Sequence, residues 1–371
     1  MKLVMTGGHH TSAMPVIHEL KKSHPEVEIF WIGRKYTLED NKNESLEFIE
    51  ISKEDIPFYE LKAGKVYKVT NIGRLLKIPL GFVQAFYLLT KIRPNVILSF
   101  GGYLAVPVVF AGWVLGIPSV THEQTVVLGY ANKFISYFAK KILISWESSR
   151  KYFKSDKTIL TGIPLRESIL LQKTNNYAFE NNLPVIFIIC GKSGSHKINE
   201  LVLANLKDFL SFANVIHQTG SHSIYNDIAS LKDEYINIQN EINGKYYVKE
   251  FILEDEIGEI YLKSDLVISR AGAHSVYELA VLKKPSILIP IPWVSQNEQL
   301  ENALMLKSLG LSVIIEEKNL NYEELRKNMK RMLANLDEIY KNSKQFSYIK
   351  DSVNLIINAV FEVSNEKKTS F

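Results

Sequence analysis

Residues 2–20, KLVMTGGHHTSAMPVIHEL, decide the fold class. Lys2–Met5 reads as a short buried strand, Gly7 and Gly8 break it in a turn, and Met14–Leu20 reads as a helix. A second strand follows at Val27–Ile32. Strand, glycine turn, helix and strand in that order open a doubly wound α/β domain. The device recurs at Val96–Ser99 before Gly101-Gly102, and at Pro184–Cys190 before the turn GKSGS, 191–195. Further strands are expected at Ser119–His122, Lys141–Ile144, Asn214–Gln218, Tyr247–Glu250, Leu266–Ser269, Ser286–Ile289 and Ser312–Ile315, with helices between them. The fold class is therefore α/β, two Rossmann-like doubly wound domains, here expected to face each other across a cleft. The first spans 1–164 and is rejoined by a C-terminal helix within 345–371; the second spans 165–344. The join lies near Thr161-Gly162-Ile163-Pro164, and Asn175–Asn182 reads as a polar surface loop. In such sheets ligands bind beyond the carboxyl ends of the strands, where helix N-termini favour anions such as phosphate.

Composition narrows the class. A chain of 371 residues predicts two domains. Its 46% hydrophobic and 23% charged residues exclude a disordered chain, a coiled coil and a collagen. Forty-four Lys+Arg against 40 Asp+Glu leave +4, too mild for a nucleic-acid binder, so no nucleic-acid partner is expected. A single cysteine, Cys190, excludes an intramolecular disulfide and a thiolate zinc site, and fits a reducing compartment. The histidines show no HExxH spacing, and no metal site or cofactor is expected. The apolar run behind Lys2 is too short for a secretory signal. The charge-free stretch between Arg93 and His122 is cut by Gly101-Gly102, Pro107, Gly116 and Pro118, so it reads as a buried helix between strands rather than a membrane span.

Six motifs carry candidate chemistry. TGGHHTSAMP (6–15) and SFGGYLAVP (99–107) are glycine turns whose backbone can approach a phosphate. THEQTVVLGYANK (121–133) sets His122, Glu123 and Gln124 at the end of an apolar strand, with Asn132 beyond in a helix. These groups either face a ligand or form a buried hydrogen-bonded network. ICGKSGSHKIN (189–199) offers Lys192, Ser193 and Ser195 to a diphosphate. In SRAGAHSVYELAVLKKP (269–285), Ser275 and Glu278 have capping-box spacing, so Glu278 either caps the helix or accepts two ribose hydroxyls. PIPWVSQNEQLENA (290–303) sets amides and carboxylates before a helix, suited to sugar hydroxyls. His18 reads as a solvated or packing histidine.

In their order and spacing these motifs resemble the MurG family of peptidoglycan N-acetylglucosaminyltransferases, from Lys2 to about Ile315. SFGGYLAVP resembles the family's GGYVSGP, THEQT with its later NK resembles HEQN, TGIPLR resembles GNPVR, SRAGAHSVYELA resembles SRAGALTVSELA, and IHQTG (216–220) matches as it stands. The resemblance implies the GT-B fold and an inverting transfer of N-acetylglucosamine from UDP-N-acetylglucosamine to a lipid-linked muramoyl-pentapeptide, lipid I, giving lipid II. It implies an acceptor- and membrane-side first domain and a donor-binding second one. By it, Glu278 holds the uridine ribose, Gln299 the donor sugar and Arg166 the donor site, while Phe251 and Ile252 lie near uracil; Lys192, Ser193 and Ala273 are further substrate-binding candidates. Gly7, Gly8 and Gly102 fall on the acceptor side, and Glu123, Gln124 and Asn132 are further substrate-binding candidates. His9 is the first candidate base and His122 the second; aligned without a gap, Ser12 instead takes the place of the family histidine. Departures from the family pattern are Thr125 and Ile163, each for an asparagine, and Lys192 for a serine. The expected partners are UDP-N-acetylglucosamine, lipid I and an anionic membrane surface, with the protein peripheral at the cytoplasmic face. The segment Lys62–Lys91, basic (Lys62, Lys65, Lys68, Arg74, Lys77) and then apolar, is the expected docking surface. The alternatives are a diacylglycerol glucosyltransferase-like enzyme, a UDP-N-acetylglucosamine epimerase-like enzyme and a binding-only homologue.

Overall fold

The computed structural model describes residues 1–38, 41–64, 72–172, 174–221 and 224–366. The chain divides into two compact units, Met1–Leu165 with Ile349–Phe371, and Arg166–Tyr348. In chain order the first unit contains β1 (Lys2–Thr6), α1 (His10–Ser23), β2 (Glu28–Gly33), the hairpin strands β3 (Tyr36–Leu38) and β4 (Asn41–Glu44), α2 (Leu46–Ser52), β5 (Phe58–Glu60), α3 (Ile72–Ile92), β6 (Val96–Ser99), α4 (Ala105–Val114), β7 (Ser119–Glu123), α5 (Tyr130–Ile135), β8 (Lys141–Ile144) and β9 (Thr158–Leu160). The second contains α6 (Glu167–Leu170), β10 (Val185–Ile189), α7 (His196–Ala204), α8 (Leu206–Phe212), β11 (Asn214–Gln218), α9 (Asp227–Ile238), β12 (Tyr246–Lys249), α10 (Ile257–Lys263), β13 (Leu266–Ser269), α11 (Ala273–Val281), β14 (Ser286–Leu288), α12 (Glu298–Ser308), β15 (Ser312–Ile314), α13 (Tyr322–Ala334) and α14 (Leu336–Asn342). The last helix, α15 (Ser352–Glu366), belongs to the first unit.

Among the described residues the first unit builds a seven-stranded sheet ordered β5-β2-β1-β6-β7-β8-β9, and the second a six-stranded sheet ordered β12-β11-β10-β13-β14-β15. All these pairs are parallel. Both orders run outward from a first strand in two directions, the doubly wound pattern, so each sheet reverses its winding beside its first strand. Those points lie between β1 and β6 and between β10 and β13.

Helices cover both faces, which is why the strands read as unbroken apolar runs. On β1, Leu3 and Met5 pack with Val16, Ile17 and Leu20 of α1 and with Ile356, Val360 and Val363 of α15. Val4, on the other face, packs with Leu88 and Leu89 of α3 and with Val108 and Val109 of α4. In the second unit Ile186 and Ile188 pack with Val202, Phe209, Leu210 and Met329. Helix α1 starts at His10, four residues before the expected Met14, and runs through Pro15. The proline forfeits only the bond its missing N–H would give to the carbonyl of Thr11, and the helix survives that loss.

The segment expected as a polar surface loop is anchored more firmly than its composition suggests. Tyr177 is buried, and Glu256 and Glu259 of the second unit are enclosed beside it. Glu259 accepts from the backbone N–H groups of Asn176 and Tyr177, at 2.8 and 2.9 Å, and from Lys263 Nζ at 2.7 Å. Burial alone would raise its pKa, but Lys263 and the hydrogen bonds outweigh it and bring it down to about 2. A carboxylate depressed in this way stabilises the fold above its unfolded pKa of about 4.3, and the stabilisation is lost as pH falls toward the folded value. Glu259→Ala is therefore expected to cost the second unit about 1–3 kcal/mol at pH 7, because it leaves the Asn176 and Tyr177 N–H groups without their acceptor. Urea melts should show that gap narrowing at pH 3; a gap of equal size at both pH values would contradict this assignment.

Candidate functional site

Where the first sheet reverses its winding, two glycine turns meet backbone to backbone. The Gly8 N–H donates to Gly101 O at 3.2 Å, and the Phe100 N–H to Thr6 O at 2.8 Å. Gly7 has φ +131°, and a Cβ there would fall 2.7 Å from Gly101 O. Only glycine satisfies both conditions. Gly8 is exposed and Gly102 half-buried, so this joint presents bare backbone beside the N-terminus of α1.

His9 caps α1 and is exposed, with no hydrogen bond from its ring to the helix. Desolvation by the surrounding protein, and then the charge of His10, lower its pKa. His10 turns to α2, its Nε2 3.0 Å from Glu50 Oε2. Ser12 is wholly buried in the first turn of α1. Of the two counterparts for the family histidine, His9 is the one open to a ligand.

Four candidate residues of the 121–133 motif are buried. His122 does not face outward: it is fully buried, its Nε2 2.9 Å from Gly162 O and its ring edge-on to Phe100. Desolvation, and then the charge of His9, drive its pKa down to about 4, against a raising contribution from the Gly162 hydrogen bond. Glu123 and Asn132 are likewise spent on protein. Glu123 Oε1 accepts from the Thr125 N–H at 3.1 Å and hydroxyl at 2.8 Å, and Oε2 from the Gly129 N–H at 3.2 Å and Asn132 Nδ2 at 3.0 Å. Asn132 Oδ1 accepts from Thr121 Oγ1 at 3.0 Å. Gln124 is buried too. These bonds make a buried network at the end of β7. It fixes the 125–129 loop, and Thr125 serves it by giving Glu123 two hydrogen bonds.

The second unit repeats the joint. Gly194 has φ +69°, and a Cβ there would strike Thr219 O at 1.8 Å. The loop 191–195 thus lies directly on the turn after β11, and the Ser221 N–H donates to Lys192 O at 3.0 Å. Lys192 is half-buried and Ser193 exposed. Ser195 caps α7 and is held by Arg270 Nη2 at 2.8 Å; Arg270 Nη1 also donates to Ile289 O at 3.1 Å and pairs with Glu317.

Glu278 is no cap. Helix α11 begins at Ala273 after Gly272, with no side-chain cap bond, which places Glu278 in the second turn. Its Oε2 accepts from Tyr261 OH at 2.9 Å, and its Oε1 lies 4.0 Å from Arg166 Nη2. Desolvation raises its pKa, opposed by Arg166 and Tyr261. Ala273 is buried as the first residue of α11. Gln299 Oε1 accepts from the Ile291 N–H at 3.0 Å, bracing the loop before α12. In that loop Gln296 and Asn297 have φ +55° and +52°, strained for side-chain-bearing residues. Phe251 is exposed, and the Ile252 N–H donates to Gln218 Oε1 at 3.0 Å. Gln218, Arg270 and Tyr261 hold these candidate groups in place, and motif reading did not single them out as site residues.

The first unit also carries an exposed apolar face. Leu80, Val83, Phe86 and Tyr87 of α3, Trp113 and Val114 of α4, and Tyr130 and Phe134 of α5 are exposed. Aromatic rings link these helices: Phe110 lies 5.4 Å from Phe82, 5.9 Å from Trp113 and 6.3 Å from Phe134, centroid to centroid. Lys65 and Lys68 lie outside the described residues. Among the described residues no helix is long and apolar enough to cross a membrane, and no group of acidic, histidine or cysteine side chains could hold a metal.

Comparison with known proteins bears on the family and the fold. The glycosyltransferase family 28 N-terminal domain matches residues 5–144, and the family's C-terminal domain residues 185–358. The chain is 33% identical to the UDP-N-acetylglucosamine--N-acetylmuramyl-(pentapeptide) pyrophosphoryl-undecaprenol N-acetylglucosamine transferase of Clostridium botulinum (strain Langeland), over 97% of this chain and 98% of the relative. It is 35% identical to the transferase of the same name from Clostridium perfringens (strain SM101), over 97% of each chain. Among solved structures, Acinetobacter baumannii MurG aligns with a TM-score of 0.73 at 22% identity, over 97% of this chain and 99% of that one. A UDP-GlcNAc 2-epimerase from Neisseria meningitidis aligns at 0.62 and 14%, over 98% and 100%. At these identities the two structures establish a shared fold.

Proposed function

The chain belongs to glycosyltransferase family 28, and from that premise we propose that it transfers N-acetylglucosamine from UDP-N-acetylglucosamine to the muramoyl-pentapeptide of an undecaprenyl-diphosphate lipid. The observation that carries the donor half is Glu278: a buried carboxylate with one oxygen on Tyr261 and the other facing Arg166. It suits a ribose, whose two hydroxyls need an acceptor. The loop 191–195, with the N-terminus of α7, Lys192 and Arg166, would take the diphosphate. Gln299 and the strained Gln296-Asn297 turn would meet the sugar, with Phe251 and Ile252 near the base.

The acceptor half rests on the glycine joint. Gly7, Gly8 and Gly102 offer backbone for the lipid diphosphate, and His9 stands beside them as the candidate base. Its lowered pKa keeps the imidazole neutral at physiological pH, the form that can take a proton. In the proposed step the acceptor hydroxyl attacks the anomeric carbon and gives its proton to His9. The bond from that carbon to UDP breaks with inversion, and the negative charge left on the diphosphate falls to the amides of 191–195, Lys192 and Arg166. His122, Glu123 and Asn132 support this site by shaping β7 and the 125–129 loop.

The apolar face of α3, α4 and α5, together with the basic residues that the sequence carries from Lys62 onward, supports peripheral docking on an anionic membrane at the cytoplasmic face. The acceptor's lipid makes such a surface useful.

Two substitutions should separate the halves. Glu278→Gln is expected to weaken UDP binding by about 10–150-fold, the loss of charge-assisted hydrogen bonds, and calorimetry measures it. His9→Ala should leave UDP binding unchanged and cut turnover on lipid I by about 10²–10⁴-fold. Full turnover without His9 would move the base elsewhere. For the membrane, Leu80→Asp with Val83→Asp should abolish co-sedimentation with anionic vesicles while UDP affinity holds; undiminished co-sedimentation would remove this face from the account.

A further inference from the structure

At the carboxyl ends of the adjacent strands β12, β11 and β10, three loops are stitched together, and one side chain in the middle bonds to the loops on both sides. Gln218 ends β11 and is 6% exposed. Its Nε2 donates to Gly191 O at 3.1 Å, in the loop proposed to hold the diphosphate. Its Oε1 accepts from the Ile252 N–H at 3.0 Å, in the loop proposed to lie near the base. The following backbone continues the stitch: the Thr219 N–H donates to Lys249 O and the Gly220 N–H to Glu250 O, both at 3.0 Å.

We infer that Gln218 is a positioning residue that fixes the spacing between the diphosphate loop and the nucleobase loop, and so sets how well a uridine diphosphate spans the two. A carboxamide can do this because it carries a donor and an acceptor on one planar group. An ionised glutamate has no donor for Gly191 O, and methionine has neither function. Gln218 needs no contact with the nucleotide. It acts through Gly191 and Ile252, and a loop free to shift would pay part of the binding energy as ordering entropy. The inference rests on the donor-site reading above.

The test compares full-length wild type with Gln218→Met, which conserves volume, and Gln218→Glu, which keeps the acceptor and loses the donor. UDP and ADP binding by calorimetry, donor and acceptor KM, and hydrogen exchange at the Ile252 amide are measured together. Both variants should bind UDP about tenfold or more weakly, from the loss of hydrogen bonds worth roughly a factor of ten together. Donor KM should rise, acceptor KM should stay within about twofold, and the preference for UDP over ADP should shrink. Ile252 exchange should speed up in Gln218→Met, where its acceptor is gone, and stay slow in Gln218→Glu. A merely structural glutamine would lower Tm without changing the UDP/ADP preference, and that result overturns the inference. So does wild-type UDP affinity in either folded variant; if the methionine variant does not fold, the glutamate variant decides. Wild type that fails to bind UDP sinks the donor-site reading instead, while Ile252 exchange still reports whether Gln218 holds the loop.

Discussion

The hydrogen bond from the Gly8 N–H to Gly101 O joins the two glycine turns at the end of the first sheet, the place proposed for the acceptor. It forms because β1 and β6 are neighbours in a sheet whose winding reverses between them. It can form only if the turn after β1 carries no side chain at Gly7. Around it fall the N-terminus of α1, His9 and the open backbone of Gly8 and Gly102. The second sheet obeys the same constraint with different partners, Gly194 pressed on Thr219 O beside β10 and β11. Bringing two turns into backbone contact exposes amides where anions bind, and leaves no side chains to obstruct a diphosphate.

Burial sorts the polar residues around these joints into two kinds. His9, Lys192 and Ser193 remain accessible to solvent, while His122, Glu123, Asn132, Gln218 and Arg270 are enclosed and paired with protein. The enclosed group is not inert. Glu123 shapes the 125–129 loop, Arg270 fixes the cap of α7 through Ser195, and Gln218 ties two loops to each other. A site that must hold a charged donor against water gains from such supports, since preorganised dipoles need not reorient as charge develops.

The α/β class, its repetition and most strands were legible in the sequence, because glycine turns and apolar runs are local signals. The β-strands Phe58–Glu60 and Thr158–Leu160 were not: each has three residues and lies at a sheet edge, too short for a pattern. Ser275 and Glu278 show a second limit. Their spacing fits a capping box, but the helix starts at Ala273, and the start depends on how Gly272 leaves β13. Polar residues closing an apolar strand, such as His122 and Glu123, look alike whether they face a ligand or a returning loop. Only the path of residues 125–129 settles which. Gln218 lies in the IHQTG run that matches the family, but its structural part was not legible there, since its two partners lie 27 and 34 residues away.

The central claim is a transfer between two specific substrates, and product analysis tests it most directly. The full-length protein is given UDP-N-acetylglucosamine labelled in the sugar, with lipid I, with diacylglycerol, or with no acceptor. The account predicts that label moves to the lipid-linked muramoyl-pentapeptide with matching release of UDP, and stays on the nucleotide in the other two reactions. Label moving to diacylglycerol, or conversion of the nucleotide sugar to its epimer with no acceptor present, would contradict it.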